Sequence, residues 1–147
     1  MLTNILVSAV VLVNTEKNFL MTTRPLGKKM SGFWEFPGGK VEFGENFYQT
    51  AVRELQEEIL VQINETDLEL FDVLKHNYDD FNFEIAVFIC HNWKGNITPQ
   101  ENQLYKWFEL SKIDYNKIIP ANIKIIKNIY EFLQKDNINS IQHKSKK

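Results

Sequence analysis

Apolar side chains fall along this chain in short blocks, and the spacing within each block predicts its conformation. Residues 5–13 form an almost unbroken, β-branched run, Ile5-Leu6-Val7-Ser8-Ala9-Val10-Val11-Leu12-Val13, which predicts a buried strand. A second strand is expected over residues 19–23, after the polar turn Asn14-Thr15-Glu16-Lys17-Asn18. Residues 25–32 read as a basic loop, with Arg24, Lys28 and Lys29 at or near its edges. Trp34-Glu35-Phe36 is short and extended, and Pro37-Gly38-Gly39 is expected to break it sharply.

The period then becomes helical. Tyr48, Ala51, Val52, Leu55 and Ile59 share one stripe at about 100° per residue, which predicts a helix over residues 46–59. Residues 68–75 and 81–90 look like two further strands around the turn Asn77-Tyr78-Asp79-Asp80, and residues 104–110 like another. After Pro120, the spacing of Ile123, Ile126, Ile129, Tyr130 and Leu133 marks a C-terminal helix. Residues 136–147 are polar and read as a flexible, solvated tail rather than a basic docking patch. With no internal repeat and no Pro- or Ser-rich linker, one α+β domain over residues 1–135 is expected. Its strands would form a mixed sheet enclosed by helices in an α/β/α arrangement.

Composition narrows the partners. The chain has 147 residues, 44% hydrophobic and 24% charged, and a net charge of −2 from 17 basic and 19 acidic side chains. That balance gives no basic surface for duplex nucleic acid or an anionic membrane, yet it leaves room for one nucleotide held by local charges and metal ions. The apolar N-terminal run lacks a basic leader and is half the length of a membrane-spanning helix, which favours the buried strand, and the single cysteine is compatible with a reducing, cytoplasmic setting. Cys90, the single cysteine, lies in the apolar run Ile85-Ala86-Val87-Phe88-Ile89-Cys90 and reads as a small core residue rather than a nucleophile. A monomer or a homodimer fits the sequence equally.

Chemistry enters with the predicted helix. Glu54, Glu57 and Glu58 stand at i, i+3 and i+4, on one face beside the apolar stripe. Such carboxylates repel one another, more so in a cleft where the local dielectric falls. A hard divalent cation relieves that repulsion, since Mg²⁺ or Mn²⁺ takes oxygen ligands from a few carboxylates and from substrate phosphates. Backbone carbonyls can also serve, and the bend at Pro37-Gly38-Gly39 would let main chain approach closely. A glutamate cluster by itself is more often a solvated helix face; here two glycines, Glu45, Arg53 and the three glutamates occur in register.

Gly39, Glu45, Arg53, Glu54, Leu55, Glu57, Glu58 and Val61 together resemble the Nudix box. The family pattern is Gly, five residues, Glu, seven residues, Arg-Glu, an apolar residue, any residue, Glu-Glu, any residue, Gly and a further apolar residue. Leu60 stands where the family has its last glycine, so a different helix C-cap or a slightly longer helix is expected.

The resemblance extends to the MutT-type subgroup, the 8-oxo-dGTP diphosphatases. It is carried by Trp34-Glu35-Phe36-Pro37-Gly38-Gly39-Lys40-Val41-Glu42, by Glu101-Asn102-Gln103 with Trp107, and by Pro120-Ala121-Asn122. It implies Mg²⁺ held by Glu54, Glu57, Glu58, the Gly38 carbonyl and Glu101, and hydrolysis of a nucleoside triphosphate to monophosphate and pyrophosphate. Glu54 or Glu101 would orient or deprotonate the attacking water, Arg53 would hold a helix glutamate in its rotamer, and Lys40 would add charge near the phosphates. Asn122 would read an oxopurine edge; from the residues alone it could equally cap the last helix. Phe36 could pack on a base or lie in the core, Glu35 could accept from a guanine or face solvent, and Arg24 could reach a phosphate or sit on the surface. Where relatives can carry a basic residue toward the nucleotide, this chain has Asp79-Asp80-Phe81-Asn82, so contacts there must differ. The competing readings are a pyrophosphohydrolase for another triphosphate such as CTP, and a nucleotide-binding module without catalysis.

Overall fold

Alternation along the longest strands decides the layering. In β1 (Thr3–Leu12) and β6 (Phe81–Cys90), successive side chains point to opposite faces of the sheet. Ala9, Val11, Ile85, Val87 and Ile89 pack on one side with Ile125, Ile126 and Ile129 of the C-terminal helix α2 (Pro120–Ser145). Val10, Leu12, Ala86, Phe88 and Cys90 pack on the other with Ala51, Leu55 and Ile59 of α1 (Phe47–Ile59). This computed structural model describes residues 3–77 and 79–145, with side chains to residue 133.

β1 and β6 run parallel at the centre of a four-stranded sheet. Its order is β4 (Gly38–Lys40), β1, β6, β5 (Leu68–Asn77). A second sheet of three strands, β3 (Trp34–Glu35), β2 (Phe19–Thr23) and β7 (Tyr105–Phe108), closes the end that carries the cleft. A mixed four-stranded sheet between two helices is the α/β/α layering that the sequence predicts. Each fully buried leucine or isoleucine in these two cores contributes about 1.5–3 kcal/mol of apolar burial, and Leu12, Leu55, Ile59, Ile89, Ile126 and Ile129 are all in that class.

Several boundaries and faces differ from expectation. The glycines after Pro37 do not simply break the chain: Gly38–Lys40 is a strand, antiparallel to β1 with Gly38 opposite Ala9 and Gly39 opposite Ser8. A Cβ at Gly38, whose φ is +154°, would collide with the Ser8 carbonyl, so the lack of a side chain is what lets this strand dock. Asn46 lies outside α1 as its N-cap, in a reciprocal capping box with Gln49. β7 stops at Phe108, before a single 3₁₀ turn at Leu110–Lys112. β5 runs on to Asn77, which shortens the expected turn; Tyr78 lies outside the described residues. On α2 the buried stripe is rotated, with Ile125 fully buried and Tyr130 half exposed, because Ile125 and not Tyr130 meets the sheet. The backbone of α2 continues to Ser145, so residues 136–145 are helical where a tail was expected, and Lys146 and Lys147 lie outside the described residues. Among the described residues no helix is long and apolar enough to cross a membrane.

Leu60 ends α1 without lengthening it. Its φ of 58° and ψ of 34° are left-handed; its N–H donates to the Gln56 carbonyl, and the Val61 N–H to that of Leu55. The leucine therefore adopts the conformation a glycine would take there, against the steric preference of an L side chain. Replacing Leu60 with glycine is expected to raise unfolding free energy by roughly 0.5–1 kcal/mol, measured by urea unfolding. A loss of stability would show that the half-exposed leucine side chain outweighs the backbone strain.

Candidate active site

The glutamate face of α1 opens into a cleft of about 210 Å³. Glu54, Glu57 and Glu58 line it together with Gly38 of β4, Glu35 of β3, and Gln100, Glu101 and Gln103 of the loop before β7. Pro25 and Lys28 line it from the loop after β2. Three chain segments far apart in sequence thus bring five carboxylates to one concavity.

The loop reaches the site by capping the helix. The N–H groups of Thr98 and Gln100 donate to the carbonyls of Ile59 and Glu58, which are left unpaired at the end of α1. Glu101 and Asn102 then turn the chain with φ of 55° and 58°. The Gln103 amide, in turn, donates to the Thr23 carbonyl and to Glu58 Oε1.

Arg53 organises the other side. Its Nε and Nη2 grip both oxygens of Glu45, at 2.7 and 3.0 Å. Nη1 donates to Glu54 Oε1 at 2.9 Å and to Glu57 Oε2 at 3.1 Å, and Nη2 also donates to the Lys40 carbonyl. Glu45 is thereby held down to a pKa of about 2, chiefly by the Arg53 hydrogen bonds, and the guanidinium itself is pushed up by the same partners. Arg53 thus bonds two glutamates of its own helix, Glu54 and Glu57.

Glu58 sits deepest. Its carboxylate accepts from the Gly38 N–H at 3.0 Å, from Thr22 Oγ1 at 3.2 Å and from Gln103 at 3.4 Å, yet burial dominates and lifts its pKa to about 7. Burial also raises Glu54, against the lowering effect of Arg53, and raises Glu35, against Arg24 and Lys28. Gly39 makes room for this arrangement: a Cβ there would land on the Glu54 carboxyl group. Among the described residues no three carboxylates already converge on a common point, since Arg53 draws Glu54 and Glu57 while Gly38 and Thr22 hold Glu58.

The remaining expected residues divide. Asn122 lies inside the first turn of α2, not at its cap, and its Oδ1 accepts from the Phe36 N–H at 2.9 Å across 86 positions of sequence. Phe36 itself is only 5% exposed and packs on Phe19 with ring centroids 5.5 Å apart, so stacking on a base is corrected to a core role. Arg24 turns to Glu35, with Nε 3.5 Å from Oε2, and does not line the cleft. Lys40 contributes its carbonyl to Arg53, and its exposed side chain is outside the cleft lining. Thr22, Gln103 and Lys28 were not anticipated in the site; Lys28 had a sequence signal in its basic loop and Gln103 in the Glu101-Asn102-Gln103 segment, while Thr22 had none. Cys90 is fully buried in the α1-side core, as a small apolar residue would be.

Residues 4–129 match the NUDIX domain family. The chain is 34% identical over 119 residues to the 8-oxo-dGTP diphosphatase of Escherichia coli (strain K12), covering 80% of this chain and 91% of that protein. It is 26% identical over 117 residues to the CTP pyrophosphohydrolase of the same organism, covering 78% and 84% respectively. A solved MutT structure, from a study of Aliivibrio salmonicida and Vibrio cholerae, superposes with a TM-score of 0.72 at 29% identity over 86% of this chain and 97% of that one. The chain belongs to the Nudix family and is an enzyme of it, a Nudix hydrolase.

Proposed function

We propose that this enzyme hydrolyses 8-oxo-dGTP to 8-oxo-dGMP and pyrophosphate with Mg²⁺, removing an oxidised precursor from the nucleotide pool of the cytoplasm. One observation carries the reading: the three glutamates of α1 share a cleft with Gly38 and Glu101. The names of relatives such as the Escherichia coli 8-oxo-dGTP diphosphatase support the substrate.

The donor set fits a hard divalent cation. It is all oxygen, and Gly39 clears a cradle in which the Glu54 carboxyl sits. Glu54, Glu57, Glu58, Glu101 and the Gly38 carbonyl would hold Mg²⁺, or Mn²⁺ in its place. Bound there, the cation would supply charge against the phosphates and acidity to the attacking water. Glu54 or Glu101 takes the proton of the water that attacks the β-phosphorus. Arg53 fixes the rotamers of Glu54 and Glu57 on the cleft wall, and would hand them to the cation when it binds. The Asn122 oxygen is engaged by Phe36, so its Nδ2 donors would be the group to meet the carbonyl edge of an oxopurine reaching beyond the cleft lining.

Measuring pyrophosphate released from 8-oxo-dGTP, dGTP and CTP, with Mg²⁺ and with chelator, tests the reading through kcat/KM. The expected order puts 8-oxo-dGTP first, with turnover lost in chelator. Preference for CTP would favour the second reading, which the CTP pyrophosphohydrolase relative supports. Nucleotide binding with no pyrophosphate from any of the three would overturn both.

The carboxylate environment also sets a pH dependence for the metal-free protein. Glu58 has a folded pKa of about 7 against an ordinary 4.5, so between those values the native state binds a proton the unfolded chain does not. Stability in chelator is therefore expected to fall as pH rises from about 4.5 to about 7, and Glu54 and Glu35 act in the same direction. Glu45 opposes this only lower, where its contribution is lost as pH falls from 4.5 toward about 2. Saturating Mg²⁺ favours the ionised carboxylates and should flatten the slope. Thermal melts at pH 5, 6 and 7.5 check it, and a melting temperature that rises with pH in chelator would refute it.

A further inference from the structure

The cleft lacks a committed cation for the phosphates. Arg53 directs its Nε, Nη1 and Nη2 at Glu45, Glu54, Glu57 and the Lys40 carbonyl, which leaves it no direction toward a ligand. Arg24 faces Glu35, and the Lys40 side chain lies outside the cleft lining. Lys28 is the one basic side chain among the described residues lining the cleft, which Glu54, Glu57 and Glu58 also line. It is exposed and forms no ion pair there.

The loop that carries it has a closed base. The Arg24 N–H donates to the Phe33 carbonyl at 2.8 Å, and the Gly32 N–H to the Arg24 carbonyl at 3.1 Å. Gly27, with φ of +88°, turns the chain immediately before Lys28. The ammonium is near enough to Glu35 to lower that carboxyl's pKa. A solvated surface lysine needs neither an anchored loop nor a place on the wall of an acidic cleft. A long, flexible, strongly hydrated ammonium at the mouth of such a cleft suits a polyphosphate, whose charge the carboxylates would otherwise repel.

We propose that Lys28 is a phosphate-binding residue of this enzyme, contacting the polyphosphate chain of the substrate at the cleft mouth. The proposal rests on the reading of the cleft as a nucleoside triphosphate site.

Two measurements separate them. In Mg²⁺, Lys28→Gln is expected to raise KM for 8-oxo-dGTP about tenfold, with a smaller change in kcat, because a charge-assisted contact is lost. Binding of inorganic tripolyphosphate with Mg²⁺, followed by calorimetry, should weaken by the same factor. Lys28→Arg should restore most of both, and Lys29→Gln, outside the cleft lining, should change neither. The KM of the wild-type enzyme should also rise more steeply with salt than that of Lys28→Gln. KM and tripolyphosphate affinity both within about twofold of wild type in Lys28→Gln would overturn the assignment, as would a defect confined to melting temperature. If the wild-type enzyme hydrolyses no nucleoside triphosphate while Lys28→Gln still weakens tripolyphosphate binding, the substrate reading fails and the phosphate contact stands.

Discussion

Glu54→Gln is expected to lower kcat by two orders of magnitude or more while leaving the fold intact. Glutamine has nearly the same shape, and its amide oxygen can still accept from Arg53 Nη1, which bonds Glu54 Oε1 at 2.9 Å. What disappears is the negative charge and, with it, a cation ligand and a proton acceptor. Burial already raises the pKa of this carboxyl, so the metal-free protein loses no favourable ionisation when the charge goes. Melting temperature in chelator should therefore hold or rise slightly, whereas the stabilisation that Mg²⁺ gives the wild type should shrink. Unchanged turnover in this variant would remove Glu54 from the mechanism.

That the glutamates would share a face was legible because helical spacing and charge lie in one continuous stretch, residues 46–59. The parallel pairing of β1 with β6 was not, since partners such as Val7 and Ile85 are set by packing between distant segments. The glycines show why local rules fail here. Propensity reads Pro37-Gly38-Gly39 as a breaker, yet the contact of Gly38 with the Ser8 backbone makes it a strand. Likewise, nothing near Asn122 in sequence reveals that the Phe36 backbone takes its oxygen, and an aromatic ring at Phe36 looks the same in sequence whether it faces a base or the core. The supports of Glu58, namely Thr22 and Gln103, lie 36 and 45 positions away, and nothing local in the sequence says that they meet its carboxylate. Ligand types were readable from the sequence, while the groups that orient them were supplied by tertiary contacts.

Gly39→Ala should be as damaging to turnover as loss of the Glu54 charge, for a reason confined to one contact. Gly39 pairs with Ser8 in β4, and its backbone is not in the left-handed region, so alanine brings no conformational strain. The three atoms nearest the added methyl all belong to the Glu54 carboxyl, the far end of a flexible side chain. The fold can accommodate it by swinging that carboxyl out of position, which leaves the strand in place and misplaces the ligand. A displacement of about 1 Å is enough to cost 10²-fold. Gly38→Ala is the contrasting control: there the methyl meets the Ser8 backbone at a positive φ, and unfolding rather than misplacement should follow. Because Gly39→Ala acts through Glu54, its effect should largely vanish in a Glu54→Gln background. Two losses that multiplied in the double variant would mean that Gly39 serves the reaction by some route other than the room it gives that carboxylate.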